Sequence, residues 1–523
     1  MGAVESTKGI PEEEVEVLEA YKDIPYAVLE EDVSSSIRQD FFNELTEIKS
    51  YYRIYKRGAS FLTEGANGDY VPSKIRYKKA KSLIDKEARF MFSNTPDIDV
   101  NIDDNAESEE QQENNTVLSD FLSTVLTKNH LGKKLVQAGK DCFIGKRVAL
   151  VLNFNDETGI EVSFLNSLEF FYEMEGADTL TKIVMFYPIV KATSNTEKRI
   201  KKKVYYMENG ICHVTEKIYD GAGALKETLI EGRATKFTYI PAVVIFNDGL
   251  TGDTNGESEI NTVADYESGY SKLSNADIDS GRKAMNAIRY VIDGTPESTE
   301  KLSIAPGAFW DIQSDQNGAN DKTAEVGMLE PNMSYSNALK TTLDRMENTM
   351  YSQLEIPNVS SEKLQGVITS GKTLKALYWG LIVRCDEKML TWAPALEFMA
   401  KCIIEGAKLY PKTVVYYSNE KLPNIAYEIT VQNNYPLMED EIEEKTMDIA
   451  EVNALTMSKK SYMKKWRKLT DQQADAELEQ ILKEKQMFEE SYMKSLNVPE
   501  DTDEDEEEDT PLEEEEVVEE DLE

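Results

Sequence analysis

The sequence predicts an α+β chain made of several domains or subdomains. Three observations carry this. Apolar residues recur at helical spacing over long stretches in the first third, the middle and the C-terminal part. From Arg147 to about Val244 the period changes to that of strands, with turn signals between short apolar runs. At 523 residues the chain is too long for one hydrophobic core, so two to four compact pieces are expected.

The elements follow in order. Val15 and Leu18 begin a helical pattern within the acidic stretch 1–40. Ile37, Phe41, Phe42, Leu45 and Ile48 set a helix and then a turn over 36–63, ahead of a Gly-rich turn at Gly65–Gly68. Residues 73–94 read as a basic amphipathic helix, with Ile75, Ala80, Leu83, Ile84, Phe90 and Met91 on one face. Residues 102–115 are polar and acidic, a loop or a helix start, and 116–140 are helical. Val148–Phe154, Ile183–Tyr187, Lys203–Met207, Ile211–Tyr219 and Thr238–Phe246 read as strands. A turn-rich loop from Asn247 to Gly256 follows. Glu257–Asn286 and Asn337–Leu354 are helices, separated by short strands such as Ile288–Ile292 and Gly307–Ile312. After a polar loop, Thr373–Leu409 is one very long helix, with a kink expected at Pro394. Tyr427–Val431 is a strand, and Met438–Lys468 and Asp471–Ser495 are charged helices. No repeat of 20–50 residues is visible.

Charge narrows the function. The formal net charge is −39. The last 25 residues, from Pro499, hold 17 Asp or Glu and no Lys or Arg, a composition that predicts disorder. The other 498 residues still carry −22. Such acidity excludes tight wrapping of nucleic acid, which needs many Lys and Arg against phosphate, but leaves guidance without adhesion open. Cys142, Cys212, Cys385 and Cys402 form no CxxC pair and read as reduced, mostly buried thiols of an intracellular protein. His130 and His213 are too few for a His-rich metal site and stand in no HExxH context, so both read as structural. The N-terminus has neither a basic nor an apolar signal region, and the longest apolar stretches fall far short of a membrane span. A soluble chain, made inside the cell, is expected.

Four motifs need weighing. Gly366–Thr373 fits G-x-x-x-x-G-K-[ST], a phosphate-cradling loop. That loop needs a buried strand before it, and Ser360–Gln365 is not one; nor does an apolar strand ending in a magnesium-binding Asp stand out. The stretch Lys49–Arg89 interleaves Arg53, Lys56, Arg57, Lys74, Arg76, Lys78, Lys79, Lys81, Lys86 and Arg89 with Tyr51, Tyr52, Tyr55, Tyr70 and Tyr77. It reads as a solvated face offsetting acidic surroundings, against the alternative of a nucleic-acid or acidic-protein patch. Asp248, Asp253, Asn255, Glu257 and Glu259 crowd the loop before a helix. The EF-hand glycine is missing at the sixth position, where Ser258 stands, so acids favouring a helix N-terminus is the better account than a cation site. No Ser–His–Asp arrangement is arguable. Catalytic residues, cofactor and metal are all expected to be absent.

The order of elements resembles the portal, or head-to-tail connector, family of tailed double-stranded DNA bacteriophages, of the siphophage type. Tyr51-Tyr52 with Gly58, then Ser73-Lys74-Ile75 through Asp85-Lys86 to Phe90-Met91-Phe92 and Pro96, is similar to the family's amino-terminal wing pattern. Ile240-Pro241-Ala242-Val243-Val244-Ile245-Phe246-Asn247-Asp248 resembles the strand before its stem helix. Asp265-Tyr266 through Asp277-Ile278-Asp279 resembles that helix. Thr369-Ser370-Gly371-Lys372-Thr373-Leu374-Lys375 resembles the start of its long kinked helix, and so re-explains the nucleotidase-like string. The resemblance spans roughly 40–500. Asn94 stands near a frequent Gly of the family, and Thr373 replaces a common Ala.

The resemblance implies a portal fold. Residues 1–256 would be the N-terminal part of the wing, 257–286 and 331–355 the stem helices, and 287–330 a small α/β clip. Residues 356–371 would be the tunnel loop, 372–435 the long kinked helix and wing return strand, 436–498 the helical crown, and 499–523 a disordered acidic tail. It implies a homo-oligomeric ring, a dodecamer, at one capsid vertex of the virion, reached from the host cytoplasm during assembly. Its partners would be double-stranded DNA passing transiently, the terminase large subunit as a separate motor, a head-completion or adaptor protein, and the major capsid and scaffolding proteins, with no membrane. Lys363, Gln365, Thr369, Ser370 and Lys372 would line the constriction. Glu259, Asp265, Glu267, Asp277 and Asp279 would line the stem and repel DNA. The alternatives are a P-loop ATPase using Gly366–Thr373, and an acidic scaffold or adaptor without a channel.

Overall fold

The computed structural model describes residues 24, 26–62, 71–101, 109–176, 179–189, 199–249, 255–285, 288–292, 312, 314, 324–329, 333–359, 371–418, 421–436, 441–467, 469 and 471–496. The chain divides into two compact units, Met1–Leu437 and Met438–Glu523. Helices and antiparallel sheets are mixed, as an α+β chain requires.

In the first unit, α1 (Ser35–Arg57), α2 (Lys79–Phe92), α3 (Glu109–Lys128) and α4 (Leu131–Gly145) precede most of the strands. The helix read over 116–140 is two helices, because His130 sits in the left-handed region at φ 52° and turns the chain between them. β2 (Arg147–Asn155) is buried from Arg147 to Leu152, a run without alternation because α4 covers one face and a later helix the other. It pairs antiparallel with β3 (Gly159–Asn166) and with β9 (Ala242–Phe246). β4 (Phe170–Glu175), β5 (Thr179–Ile189), β6 (Arg199–Glu208), β7 (Ile211–Asp220) and β8 (Leu225–Ala234) form a five-stranded antiparallel sheet in sequence order. β8 is exposed on nearly every residue and has no apolar alternation. β1 (Asp97–Asn101) pairs with β12 (Glu428–Gln432), joining segments more than 300 residues apart in the sequence.

Two long helices follow the sheets: α5 (Glu259–Met285) and α6 (Ser336–Gln353). They pack together, with the end of the Met346 side chain lying over Gly269. Between them β10 (Ile288–Ile292) pairs antiparallel with β11 (Glu325–Leu329). The long helix after the polar loop is interrupted once. α7 (Gly371–Leu377) and α8 (Trp379–Leu409) part at Tyr378, while α8 runs on through Pro394. Trp392 of α8 is buried against Phe92, ring centroids 4.7 Å apart.

Among the described residues the second unit has three helices where the sequence predicts two: α9 (Glu441–Asn453), α10 (Lys459–Arg467) and α11 (Asp471–Leu496). Leu455, at φ 61°, breaks the first pattern. Polar contacts link its helices. Lys460 meets Asp475 at 2.9 Å, Arg467 meets Glu477 at 2.8 Å, and Trp466 donates to Asp448 at 2.7 Å. The helical pattern at Val15–Leu18 and the acidic tail from Pro499 lie outside the described residues.

Candidate functional site

The helix α5 is held by the segment that leads into α2. Residues 73–77 are extended, not helical as their composition suggests. Their amides bond to side chains of α5 instead of to a neighbouring turn. Ser73 N donates to both carboxylate oxygens of Asp279 at 3.1 Å, Ile75 N to Asn275 Oδ1 at 2.8 Å, and Tyr77 N to Ser271 Oγ at 3.3 Å. Asn275 Nδ2 returns a bond to Ile75 O at 2.6 Å. The register has a simple cause. Two residues of extended chain advance about 6.6 Å, and four residues of helix about 6 Å. Alternate amides therefore keep pace with every fourth residue of α5: Asp279, Asn275, Ser271.

Glu267 closes this ladder. It accepts from Ala59 N at 3.0 Å and from Ala80 N at 2.7 Å, so a carboxylate on α5 caps the first turn of α2. Gly58, at φ 85°, permits the approach: a Cβ there would lie 3.0 Å from Glu267 Oε1. Burial pushes the Glu267 pKa up, and the two amides and Lys79 oppose that shift. Folding thus favours its neutral form, and its contribution declines as pH rises through the raised pKa. Glu267→Ala should cost about 2–4 kcal/mol, since it strands two buried amides and removes a cap. A urea titration reads it, and a loss under about 0.5 kcal/mol would show the ladder to be dispensable.

A buried ion network fixes the first turn of α5. Arg384 Nε and Lys388 Nζ, on α8, reach Glu87 Oε1 at 3.0 and 2.9 Å. The same two cations bond Glu259 Oε1, Arg384 Nη2 at 2.9 Å and Lys388 Nζ in very close contact. Lys388 also donates to Asn247 Oδ1 at 3.0 Å and lies 3.8 Å from the centre of the Phe143 ring. Asp248 stands 3.6 Å from Arg384. Burial works against the Arg384 charge, but Glu87 and Asp248 outweigh it and hold its pKa above the ordinary value. Five pieces of chain meet here: α2, α4, the end of β9, α5 and α8.

These contacts settle where the expected residues stand. Glu259 and Glu267 are buried inside the protomer, so the expectation that they present charge along a channel is corrected. Each is consumed by internal partners far away in sequence. Asp279 is half-buried and engaged by Ser73. Asp265 is exposed and Asp277 half-buried, so these two keep outward faces. Lys363, Gln365, Thr369 and Ser370 lie outside the described residues, as does the Lys372 side chain. Within the Asp248–Glu259 cluster, Asp248 pairs with Arg384, Glu259 pairs with Arg384 and Lys388, Glu257 is exposed, and Asp253 lies outside the described residues. Among the described residues no group of three or more His, Cys, Asp or Glu could hold a metal ion. The part of the nucleotidase-like string that is described, Gly371–Thr373, opens α7; before residue 360 the described chain is α6 and irregular backbone, not a strand.

Part of the basic stretch is spent internally, while Lys74, Lys78 and Arg89 stay exposed as a solvated face. Lys79 pairs with Glu347 of α6 at 2.7 Å, Lys86 donates to Tyr351 OH at 2.9 Å, and Lys81 meets Asp85 at 3.4 Å. The four cysteines are free and buried, and burial raises their thiols, Cys212 to about 11 and Cys402 to about 12. Such thiols stay protonated and inert. The sequence reading missed the Glu267–Ser271–Asn275–Asp279 ladder, whose signal is polar residues every four positions along α5. It also missed the Lys388 network, which leaves no local mark.

A mixed α/β unit bracing a long helix pair, followed by a charged helical unit, matches one known class along most of its length. The family model described as "Phage portal protein, SPP1 Gp6-like" matches residues 34–491. The chain belongs to this family of phage portal proteins. No curated protein sequence matches it. Among solved structures it is similar to a chain of the virion of a native gene transfer agent particle, at 12% identity and TM-score 0.32, covering 75% of this chain and 89% of that one. It is similar too to a chain of the neck of the native particle computed with C12 symmetry, at 9% identity and TM-score 0.29, covering 73% and 89%. A chain of the neck of the empty particle, computed with C6 symmetry, has 11% identity and TM-score 0.31, covering 74% and 87%. These likenesses are too slight to bear on fold or function.

Proposed function

We propose that the chain forms a ring, a dodecamer, at one capsid vertex, and that double-stranded DNA enters and leaves the virion through its central channel. The observation that carries this is the family match across residues 34–491, which spans both units. The chain acts without chemistry of its own: a separate terminase motor drives the DNA, and the ring is the platform for the adaptor of the head-to-tail connection. Capsid and scaffolding proteins seat it, and assembly takes place in the host cytoplasm.

On this reading residues 1–256 are the N-terminal part of the wing, α5 and α6 the stem, 287–330 the clip, 356–371 the tunnel loop, 372–435 the long helix and return strand, and 436–498 the crown. The sliding of DNA needs a wall that does not hold phosphate. Asp265 and Asp277 serve that wall, while Glu259, Glu267 and Asp279 serve the protomer. One exposed acid per chain becomes a full ring of negative charge at its level, so symmetry multiplies small local choices.

Negative-stain electron microscopy of the purified protein, averaged down the particle axis, tests the proposal. Closed rings with a central hole are expected. Particles that stay monomeric or open across ionic strengths and protein concentrations would overturn it.

A further inference from the structure

The first half of α8 carries apolar side chains that the protomer leaves in water. Trp379 is 66% exposed, Val383 46% and Leu390 75%, and Leu377 just ahead of the helix is 39% exposed. The opposite face of the same helix is used fully, through Leu381, Cys385, Lys388, Met389 and Trp392. The exposed positions are ordered. Residues 379, 383, 386 and 390 are four, three and four apart, the 3.5-residue period of a seam between helices. Asp386, the one charge in the seam, already accepts from Tyr435 OH at 2.5 Å.

We infer that this stripe is an interface with a second copy of the chain. The inference rests on the ring reading above and names the surface that builds the ring. Three arguments choose this occupant. The first is area: given these exposures, the four side chains leave on the order of 400 Å² of apolar surface in water. That is about half of the roughly 800 Å² that each partner contributes to a standard interface. The second is charge. Each copy carries −39. Copies repel one another over most of their surfaces, so they can meet only where apolar burial outweighs that repulsion. The stripe offers such a place. The third is duration. A transient partner would leave Trp379 and Leu390 in water for most of the protein's life, whereas a neighbouring subunit covers them permanently. Nucleic acid is a poor fit, because the seam presents no cation to a phosphate.

The test is the double variant Trp379→Glu, Leu390→Glu in the full chain, followed by analytical ultracentrifugation and electron microscopy beside the wild type. The expected result is a ring fraction at least tenfold lower, with unchanged circular dichroism and thermal midpoint of the subunit, since both side chains point into water. A milder pair, Trp379→Gln with Leu390→Gln, guards against misfolding and should raise the concentration needed for assembly about tenfold. If the variants assemble as the wild type does, the stripe is not the interface, and the ring reading stands alone. If the wild type itself forms no rings under any condition, the ring reading and this inference fall together.

Discussion

Lys388→Ala should destabilise the first unit by about 3–5 kcal/mol, a large part of what a folded domain has to spare. Its ammonium group is buried between Glu87 Oε1 and Glu259 Oε1, with Asn247 and the Phe143 ring completing its surroundings. Removing it leaves two buried carboxylates sharing Arg384 alone. Their other oxygens, Glu87 Oε2 and Glu259 Oε2, are buried without a hydrogen bond, so they have no second donor to fall back on. The cost is therefore that of stranded charge, not of a single broken hydrogen bond. A companion variant separates the two. Lys388→Met together with Glu259→Gln deletes an opposite pair and should recover at least half of the loss. Chemical denaturation of both variants reads the result. A single-variant cost under about 1 kcal/mol would mean that water reaches the site and that the network does not hold α5 in place.

Much of this architecture was legible, and the misses share one cause. Helices with a full apolar stripe, such as α1 and α4, and strands with long apolar runs, such as β2 and β9, announce themselves because local period and burial agree. Residues 73–77 did not, because their amides are satisfied by side chains of α5 some 200 positions away. β8 has no apolar face to reveal it; its pairing with β7 is made by backbone bonds and by polar side chains, Lys217 with Glu231 at 3.4 Å and Gly232 N with Thr215 Oγ1 at 3.0 Å. The breaks at Tyr378 and Leu455 fall at residues that are neither Gly nor Pro. The acids of α5 were the hardest. On the sequence, Glu259, Asp265, Glu267, Asp277 and Asp279 form one acidic series. In the fold they divide by what faces them: Arg384 and Lys388, two amides, Ser73, or water. A carboxylate carries no sign of its partner until the chain has closed.

That division bears on the second large effect, in the loop between α6 and α7. Its described base is anchored in the core: Leu354 and Ile356 are buried, and Ile356 N donates to Tyr351 O at 3.0 Å. The ladder and the ion network that hold α5 are built from residues outside 360–372. Replacing those residues by a glycine–serine chain of equal length should therefore leave subunit folding and ring assembly intact. If Lys363, Gln365, Thr369, Ser370 and Lys372 line the constriction, as we propose, the same replacement removes a positively charged level from an otherwise repulsive channel. One or two Lys per subunit count once per subunit around the ring, so the attraction to DNA drops many-fold although each single charge is weak. DNA filling of capsids carrying the variant should fall at least tenfold, and Lys363→Ala with Lys372→Ala should reproduce part of the defect, less strongly as salt rises and screens the attraction that the wild-type lysines supply. Filling at the wild-type level by the replaced loop would remove these residues from the channel. Failure of the variant rings to form would show instead that the loop belongs to the subunit interface, and the stripe at Trp379–Leu390, only a few residues further along the chain, would then be the first place to look for its neighbour.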